Sequence, residues 1–468
     1  MSGVLLVTGI LAGCGQSKKD DHLTVYLWEN RLMKNIAPYI HEQFPDQDIE
    51  FIIGNNDTDL YSYFKEHGEL PDIMTVRRFS GTDAQDLQPY LMDFASYDVV
   101  SKYYSYAVEY YKDTDDEIQW LPICAIPQTI IANKTLFDQY GIKVPENYEE
   151  YVQVCQQFYD KGIKPYSMDL AEDWSNQEII QAAAIGEFTS LDGIDWRNKA
   201  ETSAGEIKFD DVLWKRIFSE TSQFLKDSHF SKEDINVNIN TGTQMFVEGK
   251  SAMFHGQPTD MQKLQDQMDA ELIRIPYFSQ TSDSSFVYMF PSLNIAFNKE
   301  LEKNKEKLDT ALDVLDCMIS EQGQKLIADG SGVISLNTDV PSMMQNVPGL
   351  EEEIKDTSIY IRYSAQKSFD ASLEAVHGLL SGKMDEMQAY NAFRSAMNSK
   401  DSKEKSTVNF ENEYSILLTD TTKSILKKIN PKCAIEQIGD TTLSSAWIAA
   451  MSNGQQPSAP EDYIEVEK

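Results

Sequence analysis

The chain has 468 residues, which is enough for two or three domains of typical size. Hydrophobic residues make up 41% of it and aromatic residues 11%, as in ordinary soluble globular proteins. The net charge of −34 excludes nucleic acids as natural partners, because such a surface repels phosphate groups.

The chain begins with a short apolar run that leads to a cysteine. Residues 3–13 have the character of a secretory signal, and "LAGC" (11–14) resembles the lipobox of bacterial lipoproteins. That resemblance implies that Cys14 is diacylated and becomes the new N-terminus, with the polar residues 15–22 as a flexible tether. No basic segment precedes the run, which departs from the pattern. The competing interpretation is an ordinary apolar N-terminus with a chance cysteine.

Strands and helices then alternate. The spacing of apolar residues predicts strands at 23–28, 48–54 and 71–76, with helices at 32–44 and 59–67 between them. This order is typical of βαβ units and predicts an α/β fold with a largely parallel sheet.

The pattern continues less regularly towards the C-terminus. It predicts an extended segment at 119–134, a strand at 250–256 that follows the segment 241–249, and helices at 148–162, 212–227, 308–329, 371–382 and 386–397. The polar stretch 398–407 is predicted to be a linker or a solvated turn, and a tail of unknown role follows.

The sequence contains no pattern that indicates catalysis. There is no phosphate-binding loop, no nucleophile elbow and no H-E-x-x-H motif, and the acidic run 113–117 lacks the spacing of a calcium loop. The cysteines after Cys14 are widely spaced, which argues against a zinc site or a disulfide framework. We therefore predict no catalytic residues, no metal and no cofactor.

Four segments resemble family 1 extracellular solute-binding proteins, which include the maltose-binding protein and serve ABC importers. They are "WLPICAIPQTIIANKTLFDQYGIKVPENYEEYVQVCQQF", "MFVEGKSAMFHGQP", the stretch "PSLNIAFNKELEKNKEKLDTALDVLDCMISEQGQKLIADGSGVIS", and "LLSGKMDEMQAYNAF". Each is similar to a segment of that family, they occur in the family's order, and together they cover about residues 23–398.

This resemblance implies the periplasmic-binding-protein-like fold, with two α/β lobes whose mixed, mostly parallel sheets are joined by a multi-crossing hinge. The crossings are expected near 124–128, 289–293 and 330–334. The first lobe then comprises 23–125 with 293–330, and the second comprises 127–290 with 334–398. Residues 1–22 are the signal and tether, and residues 399–468 form the linker and tail.

The ligand is expected in the cleft between the lobes, where strand carboxyl ends and helix amino ends point. A sugar requires aromatic rings for its apolar faces and planar polar groups for its hydroxyls. From these needs and from the family's contact segments, we predict as ligand-binding residues Trp28, Glu29, Asn30, Arg31, Arg77, Arg78, Trp120, Gln128, Asp173, Trp174, His255, Gln257 and Tyr288.

Several of these residues have a plain structural alternative. Trp28 and Trp120 could pack against the sheet, and the paired arginines could simply balance neighbouring carboxylates. Trp174 lies among polar residues, which favours the cleft. One departure from the family concerns the ligand: Gln257-Pro258 stands where the family often has an aromatic residue, so a common sugar-stacking ring is missing.

The sequence thus predicts a lipid-anchored monomer, outside the cytoplasm, that captures an oligosaccharide for the membrane subunits of an ABC importer. One alternative is the same scaffold with a peptide, a polyamine or a metal chelate as its solute. Another is a secreted hydrolase domain in the tail, where 410–439 is weakly similar to the start of a 5′-nucleotidase C-terminal domain.

Overall fold

The fold is taken from a computed structural model of the chain. The structure describes residues 21–28, 30–54, 65, 68–75, 87–109, 111–113, 115–202, 207–328, 332–340, 347, 350, 358–363, 366–399, 415–417 and 442–444. The predicted helix at 59–67 lies outside these residues apart from position 65, and the predicted signal and tether at 1–22 lie outside them apart from positions 21 and 22.

The N-terminal part forms the predicted βαβ arrangement. Strand β1 (Leu23–Trp28) pairs in parallel with both β2 (Ile49–Gly54) and β3 (Ile73–Thr75). The helix Asn30–Gln43 connects β1 to β2 and buries Ile36 and Ile40 in the core. These two side chains are four residues apart, so they lie on one face of the helix.

Two long antiparallel strands connect this part to the rest of the chain. They are β4 (Leu121–Asn133) and β9 (Ser285–Phe297), and they pair from Leu121–Ile295 to Gln128–Tyr288. At about 3.3 Å per residue each is roughly 43 Å long. A third segment joins them where the backbones of Ala125 and Ile334 exchange two hydrogen bonds, of 2.9 and 2.8 Å.

The sheet is mixed. Strands β5 (Lys164–Ser167), β6 (Ser251–Gly256), β7 (Leu272–Ile275), β8 (Tyr277–Phe278) and β10 (Ser358–Ile361) complete it, with the central order β2-β1-β3-β9-β4-β6-β5. The pairs β1–β2, β1–β3, β5–β6 and β9–β10 are parallel. The antiparallel pairs all involve β4 or β9, because these strands run through the sheet in opposite directions.

Helices cover this sheet. The α-helices not yet named are Ser105–Glu109, Lys134–Tyr140, Tyr148–Tyr159, Asp173–Ala183, Ile185–Phe188, Leu191–Thr202, Asp211–Asp227, Ile239–Val247, Pro258–Gln265, Lys305–Ile319, Glu321–Ala328, Gln366–Leu380 and Glu386–Met397. Short 3-10 helices occur at Gln88–Tyr90, Asp98–Lys102, Asp234–Asn236 and Lys299–Lys303.

The buried apolar residues form two main clusters. The first cluster draws on residues 23–125 and 287–361, and the second on residues 130–288 and 360–397. Along β9 the clusters alternate: Val287 and Met289 belong to the first, and Phe286 and Tyr288 to the second. Since successive side chains of a strand point to opposite faces, the crossing strand serves both cores at once. The lobe boundaries given above stay a prediction.

One predicted helix is divided. The pattern at 308–329 indicates a single helix, but Lys305–Ile319 and Glu321–Ala328 are separated by Ser320, whose backbone is extended. The Ser320 hydroxyl accepts a hydrogen bond from the Gly323 N–H (3.1 Å), which caps the second helix. The apolar stripe continues across the break, so periodicity alone could not reveal it.

No helix among the described residues is both long enough and apolar enough to cross a bilayer. In the tail, the structure describes only β11 (Ser415–Leu417) and β12 (Thr442–Ser444), which pair antiparallel. The predicted linker at 398–407 lies outside the described residues except for positions 398 and 399.

Candidate ligand site

A cavity of about 290 Å³ lies beside the carboxyl end of β6. Its size is near the lower end of the range that small-molecule sites occupy. Its walls combine aromatic and aliphatic side chains with several polar groups, and they include Gln128, Asp169, Trp174, His255, Gln257 and Asp260.

The local sequence explains how the cavity wall forms. All six residues of β6 are buried, as in a strand that is covered on both faces. At its carboxyl end, His255 and Gly256 pair with Ile130 and Thr129 of β4. A Cβ on Gly256 would lie 2.7 Å from Cδ1 of Ile131, so any other residue here would require the Ile131 side chain to shift. The helix Pro258–Gln265 begins directly afterwards, and Asp260 accepts the Gln257 N–H (2.9 Å).

Trp174 supplies the aromatic surface. It is the second residue of the helix Asp173–Ala183, and its half-buried ring lies 6.4 Å from that of His255, with 38° between the planes. The ring therefore borders the cavity beside polar groups, an arrangement that suits a ligand with apolar faces and polar edges.

Two buried acceptor atoms, on residues that line the cavity, have no hydrogen-bond partner among the described residues. They are Oδ2 of Asp169 and Oε1 of Gln128, and each side chain is 2% exposed. The other carboxylate oxygen of Asp169 accepts the Ser175 hydroxyl (3.0 Å). Burial raises the pKa of Asp169, and nearby His255 opposes this. Unpaired buried acceptors are costly, so this wall favours a ligand that donates hydrogen bonds.

Glu178 does not line the cavity, but it accepts hydrogen bonds from two residues that do. Its side chain is fully buried and accepts hydrogen bonds from His255 Nε2 (2.7 Å), Gln128 Nε2 (3.1 Å) and Arg362 Nη1. Burial alone would raise the pKa of Glu178, but Arg362 and His255 outweigh it and hold the pKa below its usual value. For His255 burial acts in the opposite direction and lowers the pKa, but the hydrogen bond and the charge of Glu178 outweigh it, so the pKa is raised overall.

The structure brings together four of the predicted site residues. Gln128, Trp174, His255 and Gln257 all line the cavity. Asp173 lies next to Trp174 and accepts its N–H (2.6 Å) without lining the cavity.

The remaining predicted residues lie elsewhere or are not described. Trp120 and Tyr288 are 4% and 1% exposed and pack in the first and second apolar clusters. Trp28 ends β1 and Asn30 begins the next helix, but their side chains, and that of Arg31, lie outside what the structure describes. Glu29, Arg77 and Arg78 lie outside the described residues altogether. Ligand binding by all of these residues stays a prediction.

Sequence reasoning missed Asp169, Glu178, Asp260 and Arg362. The helix Asp173–Ala183 carries Ser175, Asn176, Gln177 and Glu178 in succession, which reads as a solvated surface, yet all four are buried. Such a polar helix is buried only where other segments supply partners, and these come from positions as distant as Arg362. Among the described residues, no group of three or more His, Cys, Asp or Glu side chains is placed to hold a metal ion.

Comparison with known proteins gives a consistent result. A sequence profile of the bacterial extracellular solute-binding protein family matches residues 65–356, which is more than half of the chain. A multiple sugar-binding protein from Streptococcus mutans is 23% identical over 271 residues. The match covers 53% of this chain and 61% of that relative's length.

Solved structures share the fold. A probable secreted solute-binding lipoprotein from Streptomyces coelicolor superimposes with a TM-score of 0.67 at 14% identity, covering 81% of this chain and 99% of that one. A sugar transporter protein from Bacillus licheniformis in complex with stachyose gives a TM-score of 0.53 at 14% identity, covering 80% and 98%. The chain therefore has the α/β periplasmic-binding-protein fold.

Proposed function

This chain belongs to the bacterial extracellular solute-binding protein family, a family of binding proteins rather than enzymes, and we propose that its solute is a carbohydrate. In this proposal the protein captures an oligosaccharide in the cavity beside β6, closes around it, and delivers it to the membrane subunits of an ABC importer.

The observation that carries this proposal is the composition of the cavity wall. The Trp174 ring offers a surface for the C–H face of a sugar, while Asp169 Oδ2 and Gln128 Oε1 are buried acceptors without partners among the described residues. A pyranose supplies both needs, because its hydroxyls donate at the edge of an apolar ring. The sugar-binding relative and the stachyose complex give independent support.

Closure requires that the ligand make additional contacts in the closed state, since only that difference shifts the equilibrium. Such a movement can occur about three backbone segments. They are the crossing strands β4 and β9 and the segment that contains Ile334, which forms a bridge to Ala125. The predicted first-lobe residues Trp28, Glu29, Asn30, Arg31, Arg77 and Arg78 would supply the opposing contacts.

The proposal is tested by calorimetric titration with maltose, raffinose and stachyose, followed by small-angle X-ray scattering of the free and loaded protein. We expect saturable binding of at least one glycan and a smaller radius of gyration on binding. A response to spermidine or to short peptides, with none to glycans, would instead establish the non-sugar alternative. Hydrolysis of any titrated compound would contradict the binding-protein assignment.

We also propose that Cys14 carries the lipid anchor. The motif at 11–14 and the polar tether after it support this, and one structural neighbour is described as a lipoprotein. Metabolic labelling with an alkyne fatty acid should label the wild-type protein and leave Cys14→Ala unlabelled. Equal labelling of both forms would exclude Cys14 as the acylated residue.

A further inference from the structure

One buried carboxylate lies behind the ligand cavity without being part of its lining. Glu178 has no exposed surface, and its two oxygens are approached from three separate elements: Gln128 on β4, His255 on β6 and Arg362 after β10. Gln128 and His255 line the cavity, whereas Glu178 and Arg362 do not. A fully buried carboxylate with several charge-assisted bonds is costly to keep unless the geometry it imposes is retained.

The bond from Gln128 fixes the orientation of its amide. Nε2 donates to Glu178 Oε1 (3.1 Å), which leaves Oε1 as the free end of the amide. That oxygen is buried and has no partner among the described residues. An amide turned by 180° would place two acceptors, its own oxygen and the Glu178 carboxylate, against each other. Glu178 therefore determines that Gln128 offers an acceptor.

The same carboxylate orients His255. Its Nε2 is bound to Glu178 Oε2 (2.7 Å), while Nδ1 faces the Tyr277 hydroxyl (2.9 Å) and, at 3.4 Å, the Tyr166 hydroxyl. The negative charges of Asp169 and Asp260 also act on the ring, and Lys263 is the cation of the cavity lining. Because both ring nitrogens have hydrogen-bond partners, the orientation of the His255 ring in the cavity wall is fixed.

Arg362 connects this arrangement to the crossing strands. Its backbone N–H donates to the carbonyl oxygen of Met289 on β9 (2.9 Å), and its guanidinium lies 4.4 Å from the centre of the Phe290 ring. Both contacts are made where β9 alternates between the two apolar clusters. The Glu178 carboxylate is thus linked through Arg362 to the crossing strand β9.

We propose that Glu178 is a positioning residue that sets the hydrogen-bond polarity of Gln128 in the cavity wall, so that the bound solute must donate a hydrogen bond to Gln128, in addition to the acceptor that Asp169 provides. This rests on the proposed function, because it concerns the selectivity of the same cavity. The solute class it selects is one with adjacent hydroxyl donors, and an analogue with an acceptor in place of a donor is rejected.

The first arm of the test uses the ligand-free protein. In Glu178→Gln, ¹⁵N NMR should show a lower titration midpoint for His255 and a changed environment for the Gln128 side-chain amide. Glu187→Gln, which removes another buried carboxylate bound to an arginine (Arg216) away from the cavity, is the matched control and should leave both signals in place. Unaltered Gln128 and His255 signals in Glu178→Gln would overturn the inference.

The second arm measures selectivity with raffinose, stachyose and maltose, each beside its monodeoxyfluoro derivatives, since fluorine accepts but does not donate. We expect at least one derivative to bind the wild type about tenfold more weakly than its parent, and Glu178→Gln to reduce that ratio to about threefold or less. Discrimination that is equal in the two proteins would contradict the inference.

The two arms separate the inference from the proposed function. If no glycan binds, the carbohydrate proposal fails, while the NMR arm still decides whether Glu178 orients Gln128 and His255. If Glu178→Gln does not fold, Glu178→Asp keeps the charge for Arg362 but withdraws the carboxylate by one methylene. In that variant the two NMR signals should move in the same directions by smaller amounts, and signals that stay in place would overturn the inference.

Discussion

The rings of Trp174 and His255 lie 6.4 Å apart at the edge of one cavity, although 81 positions separate them in the chain. Trp174 is half-buried and His255 is 5% exposed, so the tryptophan is the more accessible of the two. The histidine is hydrogen-bonded to the buried Glu178, and the tryptophan offers an accessible aromatic surface to a ligand.

Trp174→Ala should weaken binding of the glycan found by calorimetry about tenfold or more, because an aromatic stacking contact is lost. Trp174→Phe should retain part of the affinity. Trp196→Phe is the control, since Trp196 is 4% exposed and packs against Trp214 in the second cluster. Equal affinity of Trp174→Ala and the wild type would place the ligand elsewhere.

Glu220 should make the protein less stable as the pH rises. It is 8% exposed, and burial, with the neighbouring charge of Glu187, raises its pKa to about 7, against a usual value of 4.5. The folded state therefore binds the proton more tightly, and its stability falls as the pH rises from about 4.5 through 7. At about 1.4 kcal/mol per pH unit, the loss is on the order of 2 kcal/mol after allowance for solvent screening.

Glu220→Gln should remove this loss. Urea unfolding at several pH values should show that the free energy of unfolding of the variant rises relative to that of the wild type between about pH 5 and 8. The exposed Glu149→Gln is the control and should follow the wild-type profile. Parallel profiles for Glu220→Gln and the wild type would show that Glu220 is not the responsible group.

The ion pair between Lys164 and Asp234 should contribute more than the protein's surface pairs. Their side chains are 16% and 6% exposed and 2.8 Å apart, and Asp234 also accepts the backbone N–H and the hydroxyl of Ser231. Asp234→Asn leaves the β5 lysine largely buried without its counter-ion, so we expect a loss of about 3 kcal/mol in the free energy of unfolding.

The matched control for this pair is Asp195→Asn. Asp195 pairs with Lys199, and their side chains are 63% and 65% exposed. Exposed pairs contribute little, so we expect a change below about 0.5 kcal/mol. Chemical denaturation measures both variants, and a loss in Asp234→Asn no larger than in the control would refute the prediction.

Gly323→Ala should destabilise the protein, although alanine is the better helix former by about 1 kcal/mol. A Cβ on Gly323 would overlap the backbone carbonyl oxygens of Cys317 and Met318, which lie across the break at Ser320. We expect a net loss of about 2 kcal/mol in thermal or urea unfolding. Gly242→Ala, where the nearest atom would be at 3.3 Å on the Phe254 ring, is the milder comparison. A gain in stability at position 323 would contradict the prediction.

Periodicity predicted strands β1, β2, β3, β4 and β6 and several of the helices, but it did not predict strands β5, β7, β8, β9 and β10 or the helix Asp173–Ala183. The strands at 23–28 and 48–54 and the helices at 212–227 and 386–397 agree with the structure to within a residue or two. Each has one apolar face or one buried run, and such local patterns reflect burial directly. Periodicity failed at Ser320, where a break left the apolar stripe intact.

The candidate site was less accessible to sequence reasoning. Gln128, Trp174, His255 and Gln257 were identified through resemblance and residue type, and the structure gathers them around one cavity. Glu178 and Arg362 were missed, because a polar side chain in a helix looks solvated until its distant partners are known. Trp120 and Tyr288 are buried in the two apolar clusters, which residue type alone could not predict, since aromatic residues suit a ligand site and a core equally well.

The sequence by itself determined the α/β class and the family, because alternating apolar patterns and ordered motifs are local properties of the chain. Only the tertiary structure decided which polar residues line a cavity and which are buried behind its lining in hydrogen bonds to other side chains. Burial and hydrogen-bond partnership depend on segments far apart in sequence, as Gln128, Glu178 and Arg362 demonstrate. The polarity that this site presents to its ligand is therefore a property of the fold.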